Sequence, residues 1–179
     1  MKIYFLIAVI VVFNIKAVAK DDPLSPIQLD KGNICGIEVG YNIRELLYDG
    51  AKVTVERVMG EGDFYLKYNF NIDTCGIVSA VTDDNGDVYR VRIGPNKYET
   101  ADGARVGMTL RKLKVIYPKA VLVFQFDGMD NVGSHYSFSI EKLGAFSIDA
   151  SSIIKKCGDK FPNCEEYMMD LKSHNFFTY

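Results

Sequence analysis

Residues 36–46 read GIEVGYNIREL, and the pattern returns 67 positions later, at residues 103–113, as GARVGMTLRKL. In each copy, two glycines four positions apart precede a short stretch with apolar residues at helical spacing. A segment rich in β-forming residues follows each copy. The repetition predicts an α+β fold of two tandem strand-helix-antiparallel-sheet repeats, with the helices packed on one face of the sheet.

The start of each predicted helix carries a capping residue. Asn42 is the expected N-cap of the first helix, and Glu45 three residues later completes a capping box. Thr109 is the expected N-cap of the second helix, which must end before Pro118. We interpret the repeated segment as a folding device rather than a ligand-binding motif, because glycine is needed where the backbone turns sharply into a helix.

Three stretches carry the strand signals. The run from Phe64 to Ile72 alternates apolar and polar residues, which predicts a strand with one face in the core. The Asn-Gly pair within residues 83–87 predicts a hairpin between two β-rich runs, because a type I′ turn needs positive φ at both central residues. Residues 121–124 are continuously apolar, as a strand buried on both faces would be.

The N-terminal sequence is typical of an export signal. Lys2 precedes an apolar run over residues 3–13, and the small-residue triplet Ala17-Val18-Ala19 follows. A helix of this run spans roughly 16 Å, about half of a bilayer core, so we expect cleavage after Ala19 rather than a stable membrane anchor. The predicted location is periplasmic or secreted.

The predicted organisation has six parts. They are a signal peptide at residues 1–19, a flexible N-terminal arm at 20–33, a first repeat at 34–94, a linker at 95–102, a second repeat at 103–156, and a disulfide loop with a C-terminal helix or tail at 157–179. Without the signal, the chain carries 19 basic and 23 acidic residues. This balance argues against nucleic acid as a partner.

The chain has four cysteines, an even number that indicates two disulfides in an oxidising compartment. Three pairings are possible. Cys157 and Cys164 bracket a turn-rich segment that a local bridge would close, which leaves Cys35 to pair with Cys75. With the cysteines oxidised and only two histidines present, we predict no metal site and no cofactor.

The corner at residues 106–113, which runs on to Tyr117-Pro118, resembles small exported bacterial domains that open with a Gly-Met-Thr helix cap. Among these, the predicted layout is similar to that of the β-lactamase inhibitory protein and of outer-membrane assembly lipoprotein domains. The resemblance implies a binding scaffold without catalytic machinery. Tyr41-Asn42 replaces Met108-Thr109 in the first copy, and no contact residue of the inhibitors matches this sequence.

The sequence offers no convincing catalytic group. Ser134 and His135 are adjacent, so on a strand they would point to opposite faces and could not act as a dyad. The acidic turn at residues 83–87 fails as a calcium loop, because Val81 and Arg92 would fall at its first and twelfth positions. We therefore expect the protein not to be an enzyme.

Two groups of residues are candidates for binding a protein partner. Lys160, Phe161 and Asn163 lie between the last two cysteines, in a loop similar in kind to the one that a vertebrate-type lysozyme inhibitor inserts into its target. The second group consists of basic residues that would attract an acidic partner or an anionic envelope polymer: Arg90, Arg92, Arg111, Lys112 and Lys114.

These features favour a non-enzymatic binding protein outside the cytoplasm, an inhibitor or immunity protein acting on an envelope-active enzyme or toxin. The first alternative is a structural or assembly component of the envelope that uses an exposed strand edge or the basic helix face. A hydrolase built on Ser134 and His135 is the second alternative. The sequence does not predict the oligomeric state.

Overall fold

A computed structural model describes residues 27–28, 32–47, 52–60, 63–95, 98–126, 134–149, 151–160 and 164–178. The predicted signal peptide, residues 1–19, lies outside these ranges. Within them, no helix has the length and apolar character needed to cross a membrane.

The described chain contains eleven strands, four short α-helices and one 3₁₀ segment. In chain order they are β1 (Ile27–Gln28), β2 (Asn33–Ile34), β3 (Ile37–Glu38), α1 (Ile43–Leu47), β4 (Lys52–Gly60), β5 (Asp63–Ile72), β6 (Gly76–Thr82), β7 (Val88–Ile93), α2 (Leu110–Ile116), β8 (Val121–Phe126), β9 (Ser134–Ile140), β10 (Gly144–Asp149), α3 (Ser151–Cys157), the 3₁₀ segment (Gly158–Lys160), α4 (Glu165–Met168) and β11 (Ser173–Thr178).

Eight strands form one antiparallel sheet in the order β4-β5-β6-β7-β11-β10-β9-β8, and β1, β2 and β3 form a small second sheet. The predicted α+β fold of two tandem helix-on-sheet repeats is therefore wrong, because the chain is mostly β and its main sheet is continuous. The difference arises at the C-terminal end. Residues 173–178, expected in a helix or tail, form β11, which pairs with both β7 and β10.

The strand predicted at residues 121–124 is present, but its predicted burial on both faces is wrong. They belong to β8, an edge strand of the main sheet that pairs with β9 alone among the described strands. Val121 and Val123 are 60% and 42% exposed. An unbroken apolar run is therefore not a sign of burial on both faces at this position.

The core lies against one face of the main sheet. Cross-strand pairing places Phe70, Val78 and Ile93 side by side on that face, and all three are buried. Ile34 and Ile37 of the small sheet and Leu110 and Leu113 of α2 belong to the same buried cluster. Among the described residues, the small sheet and the helices thus cover part of this face.

The two repeated segments form matching corners. The N–H of Gly40 donates to the oxygen of Val88, and the N–H of Gly107 donates to the oxygen of Ser173. Return bonds run from Val88 N–H to Tyr41 O and from Ser173 N–H to Met108 O. Each corner therefore docks on the first residue of one of the two central strands, β7 or β11.

The two predicted N-caps and the hairpin are confirmed, but among the described contacts the Glu45 side chain makes no bond to Asn42, so the predicted capping box is not formed. The Thr109 hydroxyl accepts the N–H of Lys112 at 3.4 Å, and the Asn42 side-chain oxygen accepts the N–H of Arg44 at 3.2 Å. Gly86 has a φ of +86° in the turn that joins β6 to β7, but Asn85 is not among the described residues with a positive φ, so the turn is not of the predicted type I′.

The predicted cysteine pairing is also the one observed. Cys35 bonds to Cys75, which ties the small sheet to the turn between β5 and β6. Cys157 bonds to Cys164, which joins the end of α3 to the start of α4.

Candidate functional site

The face of the sheet that carries the core is exposed at its β4–β5 end. Along β5, the side chains on this face pass from Phe70, which is 2% exposed, to Leu66 at 44% and Phe64 at 53%. On β4, Val55 and Met59 lie on the same face and are 53% and 61% exposed. Large apolar side chains thus continue beyond the layer that covers the core.

Cross-strand pairing makes these side chains neighbours. Met59 pairs with Phe64, and Arg57 pairs with Leu66. Directly paired residues on one face of an antiparallel sheet have Cβ atoms about 5 Å apart, within contact distance. We call the set Val55, Met59, Phe64 and Leu66 the β4–β5 face.

A basic residue is held on this face by an aromatic ring. The guanidinium carbon of Arg57 lies 4.0 Å from the centre of the Phe64 ring, within the range of a cation–π interaction. The stack orients a planar, fixed charge beside exposed apolar surface. Arginine and aromatic residues are both enriched at the energetic centres of protein interfaces.

A groove of about 410 Å³ adjoins the β4–β5 face. Leu47 of α1 and Phe64 and Leu66 of β5 supply its apolar walls, and Asp83 and Asp84 of the β6–β7 turn also line it. The Asp83 carboxylate accepts the N–H groups of Asn85 and Asp87 at 2.9 and 2.8 Å, so the acidic wall is a fixed turn. The groove could receive an apolar side chain.

The predicted basic residues Arg90 and Arg92 lie in β7, where they pair with Val81 and Ser79 on the face opposite the buried Val91. Both are half-buried. The Arg90 guanidinium lies 5.4 Å from the centre of the Phe177 ring. These two residues are therefore on the other side of the sheet from the β4–β5 face.

Two of the predicted basic residues of α2 are neutralised within the chain. Arg111 donates to Asp170 at 3.1 Å, and Lys114 forms a salt bridge with Glu165. Lys112 is exposed and lies beside a separate recess of about 390 Å³. The three basic residues that the sequence groups on α2 therefore differ in the structure: Arg111 and Lys114 are in salt bridges, and Lys112 lines the recess.

The disulfide-bracketed loop is described only in part. Lys160 donates to Glu166 at 2.7 Å, and its Nζ lies 5.5 Å from the centre of the Tyr167 ring. The hydrogen bond to Glu166 raises the pKa of Lys160. Phe161 and Asn163 lie outside the described residues. The role predicted for this loop stays a prediction.

An apolar recess of about 390 Å³ lies at the end of α2, between Ile116, Tyr117 and Ile140. The Tyr117 hydroxyl is 2.7 Å from the Thr100 hydroxyl. Burial raises the pKa of Tyr117 to about 12. These residues hold the loop before the second corner against α2.

The chain segment Ser134–His135 opens β9, but the side chains of both residues lie outside the described part of the structure. Their backbones pair with Phe126 and Gln125 of β8. Among the described residues, no three His, Cys, Asp or Glu side chains lie close enough to hold a metal ion.

The sequence does not reveal the β4–β5 face, because the alternation in residues 64–72 predicts one core-facing side along the whole strand. A signal was available in the element lengths. A ten-residue strand spans roughly 33 Å, whereas the five-residue helix α1 spans roughly 8 Å. So short a helix could not cover the whole apolar face of such a strand.

Comparison of the chain with known protein families, with curated proteins and with solved structures finds no match. The residues of the chain itself must therefore carry any functional argument.

Proposed function

We propose that the chain is an exported, non-enzymatic binding protein that docks on a protein partner through the β4–β5 face. In this proposal it acts as an inhibitor or immunity protein against an envelope-active enzyme or toxin. The observation that carries the proposal is the set of four exposed apolar side chains on one face of β4 and β5, with Arg57 among them on the same face. Contiguous exposed apolar surface of this kind marks interaction sites in stable proteins.

Export is supported by two independent features. The two disulfides fit an oxidising compartment outside the cytoplasm. The first 19 residues have the sequence pattern of a cleaved secretory signal. Cleavage after Ala19 and a periplasmic or secreted location belong to the proposal.

A protein partner suits the β4–β5 face because the face is broad rather than enclosed. Its residues come from adjacent strands, whose backbone hydrogen bonds already fix their positions. Little conformational entropy is therefore lost when a partner binds. The neighbouring groove adds a place for one inserted apolar side chain. The combination matches an interface with an apolar centre and a charged rim.

An assembly role in the envelope is the second candidate, and the edge strand β4 favours it. β4 pairs with β5 at all nine of its positions without a bulge, and no described strand pairs with its other edge. A partner strand could add to this edge through backbone hydrogen bonds. Such a partner would tolerate side-chain changes on the β4–β5 face.

Capture of partners from an envelope extract tests the proposal when matched variants are compared. The protein, a Met59→Glu/Phe64→Glu variant and a Val115→Glu variant would be immobilised at equal density. Val115 is a suitable control because it is 79% exposed on α2, away from the β4–β5 face. We expect a partner that the protein and the Val115 variant retain and that the double variant loses.

The expected weakening is about 30-fold or more, since charge at the centre of an interface costs about 2 kcal/mol or more. Equal retention by all three proteins would contradict docking through the β4–β5 face. If the retained partner is an enzyme, loss of its activity on mixing supports inhibition. Retained outer-membrane machinery that the double variant still binds supports the assembly role instead.

A further inference from the structure

A second surface, next to Lys112, carries three positive charges. The recess beside Lys112, about 390 Å³ in volume, is lined by Arg105, Val106, Gly107, Met108, Thr109, Lys112 and Lys172. Three of these residues are cationic and none is acidic. Arg105, Lys112 and Lys172 are all exposed. We call this surface the basic recess.

The cations of the basic recess differ from their neighbours in having no acidic partner among the described residues. Arg111 and Lys114 on the same helix are paired with Asp170 and Glu165. Within the described part of the chain, no ion pair involves Arg105, Lys112 or Lys172. Three like charges around one recess repel each other, so an anion placed among them is favoured.

The first corner provides an internal comparison. When the two repeated segments are aligned with their offset of 67 positions, Arg105 corresponds to Glu38 and Lys112 corresponds to Glu45. Lys172 corresponds to Asp87, because Thr109 bridges to Lys172 as Asn42 bridges to Asp87. Where the second corner has three cations, the first has three carboxylates.

This inversion shows that the cations are not needed to build the corner. Both corners make the same backbone hydrogen bonds, from Gly40 and Gly107 and from Ile43 and Leu110. The same geometry thus forms with either sign of charge around it. Because folding does not require them, the cations of the second corner are available to bind an anion.

The backbone of the basic recess indicates which anion it suits. A compact phosphate is usually held by free N–H groups at a loop or helix start. Here the N–H groups of Gly107, Leu110 and Arg111 already donate to Ser173, Leu171 and Met169. The N–H of Lys112 donates to the Thr109 hydroxyl. Four of the N–H groups around the recess are therefore already engaged, and the long cationic side chains that line it suit several carboxylates spread along a peptide.

We propose that the basic recess binds an acidic, carboxylate-bearing segment of the protein partner. The identity of the occupant as part of a protein partner rests on the proposed function. The recess itself can be tested with a peptide in place of that partner. A negative result in this test would reject the basic recess as a binding site without contradicting docking through the β4–β5 face. Together the two surfaces would orient the partner, one through apolar contact and the other through charge.

The test measures binding of a fluorescent hexaglutamate peptide at low and moderate salt. An R105E/K112E/K172E variant gives the recess the charge of the first corner, and R105A/K112A/K172A removes its charge. A K119E/K142E/K156E variant is the matched control, because it makes the same net charge change at three exposed lysines outside the recess. Circular dichroism checks that each variant is folded.

We expect the protein and the control to bind the peptide with dissociation constants within about twofold of each other. The alanine variant should bind about tenfold more weakly, and the glutamate variant should not bind measurably. Inorganic phosphate at matched ionic strength should not compete.

Four results would overturn the proposal. They are no peptide binding by the unmodified protein, equal losses in the recess and control variants, full competition by phosphate, and self-association that the recess variants abolish. The third result would assign a phosphate site. The last would make a second copy, docking through its acidic first corner, the occupant.

Discussion

At the residue scale, Gly144 is the described glycine at which an added side chain would meet the closest obstruction. It opens β10 with a φ of +132°, and a Cβ atom built there would lie 2.3 Å from the backbone oxygen of Phe177. The obstructing atom belongs to the adjacent central strand and cannot rotate away. Close approach of β10 and β11 therefore depends on glycine at this point.

Replacement of Gly144 by alanine should destabilise the protein by about 3 kcal/mol or more, because backbone strain and steric overlap add. Gly158→Ala is the matched control. Gly158 also has a positive φ, of +50°, but a Cβ atom added there would meet nothing within 4 Å. The control should cost about 1 kcal/mol. Urea unfolding measures the loss of stability in each variant. Equal losses would show that backbone strain explains the effect at Gly144 and that steric overlap with Phe177 does not add to it.

Residues whose roles are local could be predicted from the sequence. Thr109 caps α2, and the Asn85-Gly86 pair forms a turn, because both depend on neighbours within four positions. The exposure of Met59 and Phe64 could not be predicted in this way. It depends on where a distant covering layer ends, and alternation along a strand carries no such information.

At the element scale, the two disulfides hold different kinds of structure. Cys35–Cys75 connects segments 40 positions apart and fixes the small sheet over the main sheet. Cys157–Cys164 connects segments seven positions apart, at the junction of α3 and α4. The first closes a much longer loop in the unfolded chain and should stabilise the protein more.

Alanine replacement of each pair tests this ranking. From loop-closure entropy, we expect Cys35–Cys75 to raise the free energy of unfolding by about 4 kcal/mol and Cys157–Cys164 to raise it by about 2 kcal/mol. We therefore expect the C35A/C75A variant to unfold at a clearly lower denaturant concentration than the C157A/C164A variant. Chemical denaturation under non-reducing conditions measures the difference. The opposite order would show that the loop between α3 and α4 stabilises the fold more than the small sheet does.

The elements that sequence reasoning misplaced are those defined by distant partners. Residues 173–178 form a central strand because β7 and β10 both offer free edges to them. Residues 121–126 form an edge strand because no described strand lies beyond them. The local sequence pattern does not reveal which strand is central and which is at the edge. Phe176 and Phe177 alone do not distinguish a strand from an apolar tail.

At the scale of the whole molecule, one continuous sheet positions both proposed surfaces. The β4–β5 face lies at one end of the sheet, and the basic recess lies where the second corner docks on the start of β11. β6 and β7 lie between β5 and β11 in the sheet and connect the two surfaces. A partner that contacts both surfaces would therefore meet them in a fixed relation.

The most direct test of the central claim, docking through the β4–β5 face, is methyl NMR of the methionine-labelled protein bound to its captured partner. Met59 is exposed on that face and Met168 is fully buried, so the second signal serves as an internal reference. We predict that the Met59 methyl signal shifts or broadens on saturation while the Met168 signal stays in place. A Met59 signal that does not change when the partner is fully bound would contradict the proposed function.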